Sequence, residues 1–468
     1  MRIVFVYKGR YYLRDANTIE YLSALSKLYG HKTYLSYEMD IFGITDNVFS
    51  FPLLNKIFSN PYRIIKKILR HNPDIVVFLD SFYHRDWNKK IAEELKNIRK
   101  LITVLCTYDK FFDNSIYDYL LIGEPEFSFE KFIEEEIFKL KKGAYIFDGL
   151  ADLDNLPLPD KYIFSPFVNF KDSYMIYTSK GCIYDCSYCQ ESIYKNIFGN
   201  NYFRRRSPEN VIYELKKAKE IFNIREVIYK DSVFAQDINW LKRYLNLYKK
   251  EINVLYKCFA KAEVFNKEIA LLLKETNCYC VEFGVQNFNE KIKQEILRRP
   301  EKNSVILNAL LICDKFNLKY DIDHLFGIPN ESIKDHLYAA NIYSGLKCLN
   351  RIKCHNLTFY PDAYIYKFAP ESVRYNKNYK ADFFSHISGE EDMKKINKTF
   401  QKYFKLLPLF PKRINFYIIK KGYWKIFYFF PAFLIVFFMI ILAIKKKDRR
   451  FLIYFKFYPL KILKAIYG

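Results

Sequence analysis

The chain has 468 residues, half of them hydrophobic, and carries a formal net charge of +23. This length allows two to three domains, and the hydrophobic share excludes wholesale disorder. The charge favours anionic partners, either nucleic acid or an acidic membrane surface, and does not choose between them. Ten cysteines accompany a strand-like start at Ile3–Val6 in place of a secretory leader. We therefore expect a reducing cytosol, where clustered thiols serve metals or catalysis.

Residues 1–140 alternate short apolar runs with segments of helical periodicity, such as Asn88–Ile98. Strand–helix alternation of this length predicts an open, doubly wound α/β sheet of flavodoxin-like type. A linker rich in Pro, Asp and Gly follows over residues 141–168. The five buried parallel strands that we predict are Ile3–Val6, Lys32–Ser36, Asp74–Leu79, Leu101–Cys106 and Tyr119–Ile122.

A second strand–helix series occupies residues 169–370, with helices such as Pro208–Ile221 between its strands. Six βα units predict a partial (β/α)6 barrel, open on one side. The predicted strands are Met175–Thr178, Glu226–Tyr229, Val254–Cys258, Cys280–Phe283, Tyr320–Leu325 and Leu357–Tyr360.

The end of the chain differs in character. Residues 371–422 form a C-terminal extension, residues 423–445 are almost wholly apolar and aromatic, and residues 446–468 are basic and aromatic. At ~1.5 Å per residue, the run Ile426–Ile444 has roughly the length of the hydrocarbon core of a membrane. Trp424, just before it, suits the interface. We predict a membrane segment here; the alternative is a buried core helix.

Both flanks of this segment are basic, with Lys420 and Lys421 before it and Lys445–Lys447 after it. The catalytic domains belong in the cytoplasm, so a single span would place a basic tail outside, against the positive-inside tendency. We expect the segment to re-enter or to lie tilted, with Phe451–Tyr467 resting on the cytosolic lipid face.

Three cysteines, Cys182, Cys186 and Cys189, lie together just after the first strand of the second series. Thiolates at positions i, i+4 and i+7 can converge on one loop, ligate three irons of a cubane and leave the fourth iron open. Structural zinc is the alternative, but it needs four ligands, and no second cysteine pair with zinc spacing follows. The other seven cysteines are scattered and are interpreted as small buried hydrophobes.

This Cys-x3-Cys-x2-Cys spacing, with an aromatic Tyr188 before the third cysteine, resembles that of the radical S-adenosylmethionine superfamily. The resemblance covers residues 174–362 and implies a [4Fe–4S] cluster, reductive cleavage of S-adenosylmethionine to a 5′-deoxyadenosyl radical, and a low-potential electron donor. Four further segments resemble the family in the same order: Arg204–Val211, Ile228–Phe234, Glu282–Gln286 and Asp323–Glu331.

The resemblance also implies which residues bind the cofactor. The backbone near Tyr188 and the turn at Ile328 would flank the adenine, and Glu282 would accept hydrogen bonds from the ribose. Asp231 and Gln286 are further cofactor-binding candidates, although such residues at strand ends also cap helices.

Two positions depart from the family pattern. Asn330 replaces the usual glycine of the turn, and Asn tolerates left-handed geometry, so we expect the turn to form. Ser232 stands where a second acidic residue is usual. His324 and His336 are more typical of packed core histidines than of catalytic ones.

The first domain resembles the cobalamin-binding domain commonly fused before such a barrel, through Asn72–Val77, Asp118–Glu126 and Leu156–Asp160. A flavodoxin-like sheet offers a crevice at the carboxyl ends of its strands, which suits a corrin. Residues 7–15 lack the cobalt-ligating histidine motif of some relatives, and Asp80–His84 is bulky for a corrin site. The resemblance implies cobalamin as a further cofactor; the alternative is a scaffold that has lost it.

Together the motifs predict a membrane-associated, cobalamin-dependent radical enzyme that methylates an unactivated carbon, with the membrane segment favouring a lipid or isoprenoid substrate. Cobalt would deliver the methyl group, because an sp³ carbon offers no nucleophile. One alternative is radical carbon–carbon bond formation or rearrangement without methylation. RNA modification has only the net charge in its favour, so nucleic acid is the less expected partner. The last alternative is a non-catalytic, membrane-tethered iron–sulfur protein.

Overall fold

The computed structural model describes residues 1–9, 16–40, 61–81, 84–109, 116–374 and 391–467. The chain divides into two compact units, one formed by Met1–Met175 with Phe457–Gly468 and the other by Ile176–Lys456. The division at residues 175 and 176 falls just after the start of the predicted second series at residue 169.

The first unit contains a six-stranded sheet in the spatial order β2-β1-β3-β4-β5-β6, with every neighbouring pair parallel. This is the flavodoxin-like order 2-1-3-4-5 with one strand added, so the predicted doubly wound class is confirmed. The strands are β1 Arg2–Gly9, β2 Lys32–Met39, β3 Ile75–Leu79, β4 Ile102–Thr107, β5 Tyr119–Ile122 and β6 Gly143–Ile146.

The sixth strand, Gly143–Ile146, lies within the residues that the sequence assigned to a linker. Its side chains alternate between half-buried and exposed, so it has no buried apolar run that would predict a strand. β3, β4 and β5 are buried at nearly every position because helices cover the sheet, whereas β1 and β2 are buried mainly over Ile3–Val6 and Leu35–Glu38. The helices of this unit are Asn17–Leu28, Pro61–Arg70, Arg85–Ile98 and Pro125–Glu134.

The second unit is built on a sheet in the order β14-β13-β12-β11-β10-β7, and β10 to β14 pair in parallel. Neighbouring strands joined through helices give the predicted (β/α)6 arrangement. The strands are β7 Tyr174–Ile176, β10 Glu226–Tyr229, β11 Leu255–Ala260, β12 Cys278–Gln286, β13 Tyr320–Phe326 and β14 Leu349–Asn356, and a small antiparallel pair is formed by β8 Ser179–Lys180 and β9 Arg204–Arg205. The helices are Gln190–Phe198, Pro208–Phe222, Ile238–Glu251, Lys267–Glu275, Asn303–Lys315 and Ile333–Ser344.

The prediction of the sixth barrel strand at Leu357–Tyr360 was wrong, because β14 ends at Asn356 and residues 357–360 have no regular structure. Arg351, Lys353 and His355 alternate with buried residues along β14. Charged side chains on one face interrupt the apolar run that marks a buried strand. Leu357, Phe359 and Tyr360 follow β14 as a mainly apolar run, and they pack in a core cluster with Leu325 and Ile328.

The C-terminal part consists of short helices, and the predicted membrane segment is broken within them. The helix Ala432–Lys446 follows a break at Phe430 and Pro431, since proline disfavours helical geometry in the residue before it. Across the described ranges, no single helix has both the length and the hydropathy of a membrane span; Tyr423–Phe429 and Ala432–Lys446 do so only as a pair bent by 117°. The helices here are Glu371–Arg374, Glu391–Leu406, Lys412–Lys420, Ala432–Lys446 and Arg449–Tyr467.

Candidate active site

The three predicted cysteines lie on the loop between Ser179–Lys180 and the helix Gln190–Phe198, and all three are partly buried. Cys189 is the N-cap residue of that helix. The amide of Cys189 donates to the carbonyl of Cys186 at 3.1 Å. The hydroxyl of Ser192 donates to the carbonyls of Cys186 and Cys189, at 2.5 and 3.0 Å. These bonds fold the loop so that one short segment presents the three thiols.

The three thiols lie on one loop but do not converge on a single metal ion. Burial raises the pKa of Cys182 to about 11 and that of Cys189 to about 12, and the nearby Cys186 contributes to both shifts. Iron binding must therefore displace protons. In the described part of the chain, no three His, Cys, Asp or Glu side chains converge on one metal ion. A cubane places each thiolate on a different iron, so its ligands need not converge in that way.

Ser187, between the second and third cysteines, anchors the loop. Its amide donates to the carbonyl of Leu297 at 3.0 Å and its hydroxyl to the carbonyl of Ile296 at 2.6 Å. Its carbonyl accepts from the amide of Ile365 at 2.9 Å. The cysteine loop is thus fixed to the segment that follows β12.

Tyr188 makes the second attachment to that segment. Its phenol oxygen accepts a hydrogen bond from Arg299 at 3.2 Å. Arg299 is buried and forms an ion pair with Glu301 at 2.6 Å. The ring of Tyr188 packs against the core cluster that contains Ile328. The structure therefore places two of the predicted adenine-side residues against one cluster.

Gln286 ends β12 with a φ of +66°, and the register of β12 with β13 shifts between Gly284 and Gln286. A Cβ on Gly284 would lie 2.7 Å from the side-chain nitrogen of Gln286 and 3.5 Å from a guanidinium nitrogen of Arg299. Gln286 thus folds back beside Arg299, and a side chain at position 284 would displace its terminal amide. A non-glycine residue at positive φ is strained, and such strain is typical of functional sites.

Asp231 follows β10 and is 1% exposed. One carboxylate oxygen accepts from the amide of Thr178 at 3.0 Å, from its hydroxyl at 2.6 Å and from the hydroxyl of Ser179 at 2.7 Å. The other oxygen, Oδ2, is buried and has no hydrogen-bond partner among the described residues. Asp231 therefore fixes the chain just before the cysteine loop and keeps one acceptor unused.

Comparison with known proteins agrees with this geometry: residues 176–341 match the Radical SAM superfamily. Residues 176–341 therefore form a Radical SAM domain. This domain implies a [4Fe–4S] cluster and S-adenosylmethionine as cofactors.

One curated relative is an uncharacterized methyltransferase, PH0819, of Pyrococcus horikoshii, 24% identical over 310 residues. The match covers 59% of this chain and 64% of the relative, so the chain spans just under two thirds of the relative's length.

Two solved structures share the fold. The cobalamin-dependent radical enzyme OxsB, with aqua-cobalamin and S-adenosylmethionine bound, has a TM-score of 0.64 at 12% identity, covering 92% of this chain and 72% of OxsB. The radical methyltransferase TsrM of Kitasatospora setae has a TM-score of 0.57 at 12% identity, covering 78% of this chain and 74% of TsrM. At this identity the likeness is one of fold.

Glu282, expected near the ribose, lies within a buried ion network. Its carboxylate pairs with Lys257 at 2.8 Å and with Lys353 at 2.5 Å. Lys257 also pairs with Asp321, which accepts from Arg351 at 3.3 Å. Burial alone would raise the pKa of Glu282, but the two lysines bring it well below its usual range. Glu282 is therefore a carboxylate held between two cations.

Glu282 and Gln286 are four residues apart on one strand, which at ~3.3 Å per residue separates them by roughly 13 Å. Gln286 is at the carboxyl end of β12, and the structure places Glu282 deeper in the sheet. Asp323, on β13, pairs with His355 at 3.2 Å, and both are partly exposed. The sequence did not predict these basic residues as neighbours of Glu282 and Asp323. The alternation of charged and buried residues along β14 was a signal for Arg351, Lys353 and His355. Lys257 lies on β11, where no such alternation marks it.

Two histidines of this domain, His324 and His336, lie in an aromatic core. His324 bonds the hydroxyl of Tyr343 at 2.8 Å, and its ring packs against Phe404. His336 bonds Asn397 at 2.7 Å. Burial lowers the pKa of His324 well below its usual range and that of His336 to about 4. Both histidines are therefore neutral, packed residues, as the sequence favoured.

The turn after β13 forms as expected despite its asparagine. Asn330 adopts a φ of +66° and Gly327 one of +79°. The amide of Gly327 donates to Glu331 at 2.6 Å, which closes the turn. Ile328, between them, is buried. Asn330 thus takes the left-handed geometry that a glycine would otherwise supply.

In the first unit, the segment Asp118–Glu126 makes internal contacts. Asp118 accepts from the amide of Thr103 at 2.9 Å and from Lys142 at 2.8 Å, and Glu124 accepts from the amide of Ala151 at 2.7 Å. The residues that follow β1 to β4, where a corrin would bind, are 10–15, 41–60, 82–83 and 110–115. These lie outside the described residues, as do most of residues 7–15 and part of Asp80–His84.

Proposed function

We propose that Cys182, Cys186 and Cys189 hold a [4Fe–4S] cluster with an open fourth iron. The observation that carries this proposal is the presence of three half-buried thiols on one loop at the start of a (β/α)6 unit. When bound, the cluster supplies the electron that cleaves S-adenosylmethionine into methionine and a 5′-deoxyadenosyl radical. An external low-potential donor provides that electron.

The residues around the loop orient the cofactor. Gln286 and Arg299 offer hydrogen-bond donors beside Tyr188, and Asp231 offers its unused acceptor oxygen. The rings and side chains near Tyr188 and Ile328 form the apolar surface for the adenine. Glu282 lies roughly 13 Å along its strand from Gln286. We therefore assign it, with its two lysines, to the interior below the ribose.

We infer that the radical serves methylation of an unactivated carbon, with cobalamin supplying the methyl group. The support is the flavodoxin-like sheet of the first unit, the methyltransferase relative and the likeness of fold to OxsB and TsrM. No residue is assigned to the corrin. The apolar character of residues 423–445 supports a lipid or isoprenoid substrate at the cytoplasmic face of a membrane.

Anaerobic reconstitution tests these proposals. Wild-type protein should bind about four irons per chain and release 5′-deoxyadenosine from S-adenosylmethionine under reduction. C182A, C186A and C189A should each lose this activity. C348A should keep it, since Cys348 lies outside the loop. Full cleavage by the three loop variants would refute the ligand assignment.

The methylation step is tested separately. Extraction should yield a corrin with its own absorption spectrum, and turnover should produce S-adenosylhomocysteine beside 5′-deoxyadenosine. Formation of 5′-deoxyadenosine alone, with a product unchanged in methyl count, would reject methylation and favour radical carbon–carbon chemistry.

A further inference from the structure

The positive charge of the chain is concentrated at its end. Residues 393–468 contain 18 of the 75 lysines and arginines but only one of the 52 acidic residues, Asp448. This sixth of the chain therefore carries +17 of the formal net charge of +23. The remaining residues are nearly balanced, so a nucleic-acid surface spread over the barrel is not what the charge indicates.

Exposed phenylalanine side chains are concentrated in the same part of the chain. Among the described residues, every phenylalanine on the exposed surface lies between positions 416 and 437: Phe416, Phe429, Phe433 and Phe437. Phe429 is 79% exposed and Phe433 is 72% exposed. Exposed apolar patches of this kind mark interaction sites.

The helix Ala432–Lys446 has two apolar faces. Phe433, Phe437, Ile441 and Ile444 recur at spacings of four, four and three residues, which places them on one exposed face of the helix. Ile435, Val436, Leu442 and Ala443 form the opposite, buried face. A surface helix normally carries polar residues on its outer side, and this one does not. We call Phe429, Phe433, Phe437, Ile441 and Ile444 the apolar face.

The preceding turn is held firmly, so the apolar face is a fixed surface. Trp424 stacks on Phe400 with ring centroids 4.6 Å apart, and Phe427 stacks on Tyr403 at 5.1 Å. Lys402 donates to the carbonyl of Tyr428 at 2.8 Å. These contacts use the inner side chains and leave the outer ones uncovered.

Cations flank the apolar face at both ends. Exposed Lys420, Lys421 and Lys425 come before it, and exposed Lys445 and Lys447 come after it. Repulsion between these cations opposes a second copy of the chain as the occupant, whereas anionic phospholipid headgroups complement them. Phenylalanines flanked by lysines are typical of helices that lie in the membrane interface.

We propose that residues 412–447 are a docking surface for an anionic phospholipid membrane. The helix Ala432–Lys446 has 15 residues, about 22 Å at ~1.5 Å per residue, and lies along one leaflet with its apolar face in the acyl boundary. Both basic flanks then reach the same headgroup layer. This arrangement removes the conflict that a single span creates between the basic flanks and the positive-inside tendency.

Sedimentation of the full chain with vesicles tests the proposal. Wild-type protein should pellet with vesicles of phosphatidylglycerol and phosphatidylcholine in equal parts, less so at high salt, and weakly with phosphatidylcholine alone. F433S/F437S should lower the partition constant by about a hundredfold or more, because two phenylalanine side chains no longer enter the apolar layer. K420Q/K421Q/K425Q should lose the preference for phosphatidylglycerol.

The matched control is L311S/Y338S, which changes two exposed apolar residues elsewhere in the same unit. It should bind vesicles as the wild type does. Circular dichroism and iron content verify that each variant folds. The assay needs neither turnover nor substrate, so its outcome is independent of the proposed reaction.

Wild-type protein that stays in the supernatant with phosphatidylglycerol vesicles would overturn the proposal, as would equal binding by F433S/F437S. If sedimentation velocity shows a dimer that F433S/F437S abolishes, without vesicle binding, the apolar face is a contact between two copies.

Discussion

The guanidinium of Arg299 donates a hydrogen bond of 3.2 Å to the phenol oxygen of Tyr188. Tyr188 lies on the cysteine loop, and Arg299 lies beyond the end of β12, 111 residues later in the chain. Together with the bonds of Ser187 to Ile296 and Leu297, this contact joins the loop to the segment that follows β12 and its last residue, Gln286. The thiols and the proposed cofactor contacts are therefore held in one rigid arrangement.

Replacing Arg299 should disturb this arrangement more than removing the Tyr188 hydroxyl. R299Q leaves the buried Glu301 without its cation and should cost about 3–5 kcal/mol of unfolding free energy. Y188F removes one hydrogen bond and should cost about 1 kcal/mol. Urea unfolding of the reduced, iron-free protein measures both.

The effect of these substitutions on cofactor binding can be measured by spectroscopy. Adding S-adenosylmethionine to the reduced cluster should change its electron paramagnetic resonance spectrum in wild type and Y188F but not in R299Q. R299K restores the positive charge but not the planar guanidinium. It should therefore regain most of the stability that R299Q loses, while the spectral change remains weak. Equal behaviour of R299Q and wild type would exclude a positioning role for Arg299.

Gly284→Ala should act on cofactor affinity and not on the cluster. The added Cβ would meet the side-chain nitrogen of Gln286 at 2.7 Å, so Gln286 must move from its place beside Arg299. We expect the KM for S-adenosylmethionine to rise roughly tenfold, about 1.4 kcal/mol, with iron content unchanged. G345A is the control, because its Cβ would make ordinary contact at 3.5 Å. A wild-type KM in G284A would argue against Gln286 as a cofactor ligand.

Removing Lys257 should destabilise the barrel in a pH-dependent way. In the wild type, Lys257 and its neighbouring cations keep the pKa of Glu282 and that of Asp321 low despite burial. A depressed folded-state pKa gives stability that is present above the unfolded-state pKa and lost as pH falls through the folded-state value. K257M leaves two buried carboxylates facing each other, and its unfolding free energy should be about 3–5 kcal/mol lower than that of the wild type at pH ~7.

This deficit should narrow as the pH falls toward about 4, because protonation of the buried carboxylates relieves their repulsion in the variant, whereas the wild type keeps its ion pairs until the pH falls through the low folded-state pKa values. Urea unfolding at several pH values measures it. K353M removes the partly exposed partner of Glu282, so its loss of unfolding free energy should be smaller than that of K257M. A K257M deficit that is constant with pH would contradict the ion-pair account.

The contribution of Glu331 to stability should have the opposite pH dependence. Burial raises the pKa of Glu331 to about 8, against the lowering effect of its bonds from Gly327 and Asn397. A raised folded-state pKa means that the stability is present below the unfolded-state value and lost as pH rises through about 8. E331Q keeps an acceptor for the Gly327 amide but cannot ionise. Its unfolding free energy should therefore fall by about 1–2 kcal/mol less than that of the wild type as the pH rises from ~7 to ~9. E275Q, at an exposed helix position, should follow the wild type in urea unfolding.

The sequence predicted those parts of the fold that rest on buried apolar runs. Tyr119–Ile122 and Glu226–Tyr229 form strands with the predicted bounds, because their four residues are all buried. β14 was misplaced because its charged face points into the sheet interior, where the charges find partners that only the folded chain supplies. β6 was missed because it is half-exposed.

Part of the candidate site could also be named from the sequence, and part could not. The cysteine spacing and the motifs named the cysteine loop, Gln286 and Ile328 as candidates, but nothing local distinguishes Arg299 from a surface arginine. Its burial depends on Tyr188 and Glu301 reaching it in three dimensions. The apolar run 423–445 was recognised, but the break before Pro431 and the burial of one helical face depend on tertiary packing.

Asp448, the single acidic residue after position 392, pairs with Arg351 at 3.3 Å and accepts from Asn350 at 3.2 Å. Arg351 in turn contacts Asp321, which shares Lys257 with Glu282. The last barrel strand thus completes its charge balance with a residue from the C-terminal segment. A chain shortened before residue 448 would leave the positive charge of Arg351 without one of its two carboxylate partners. The segment is consequently not a detachable module, and any graft onto another barrel would have to carry Arg351 and Asp448 together.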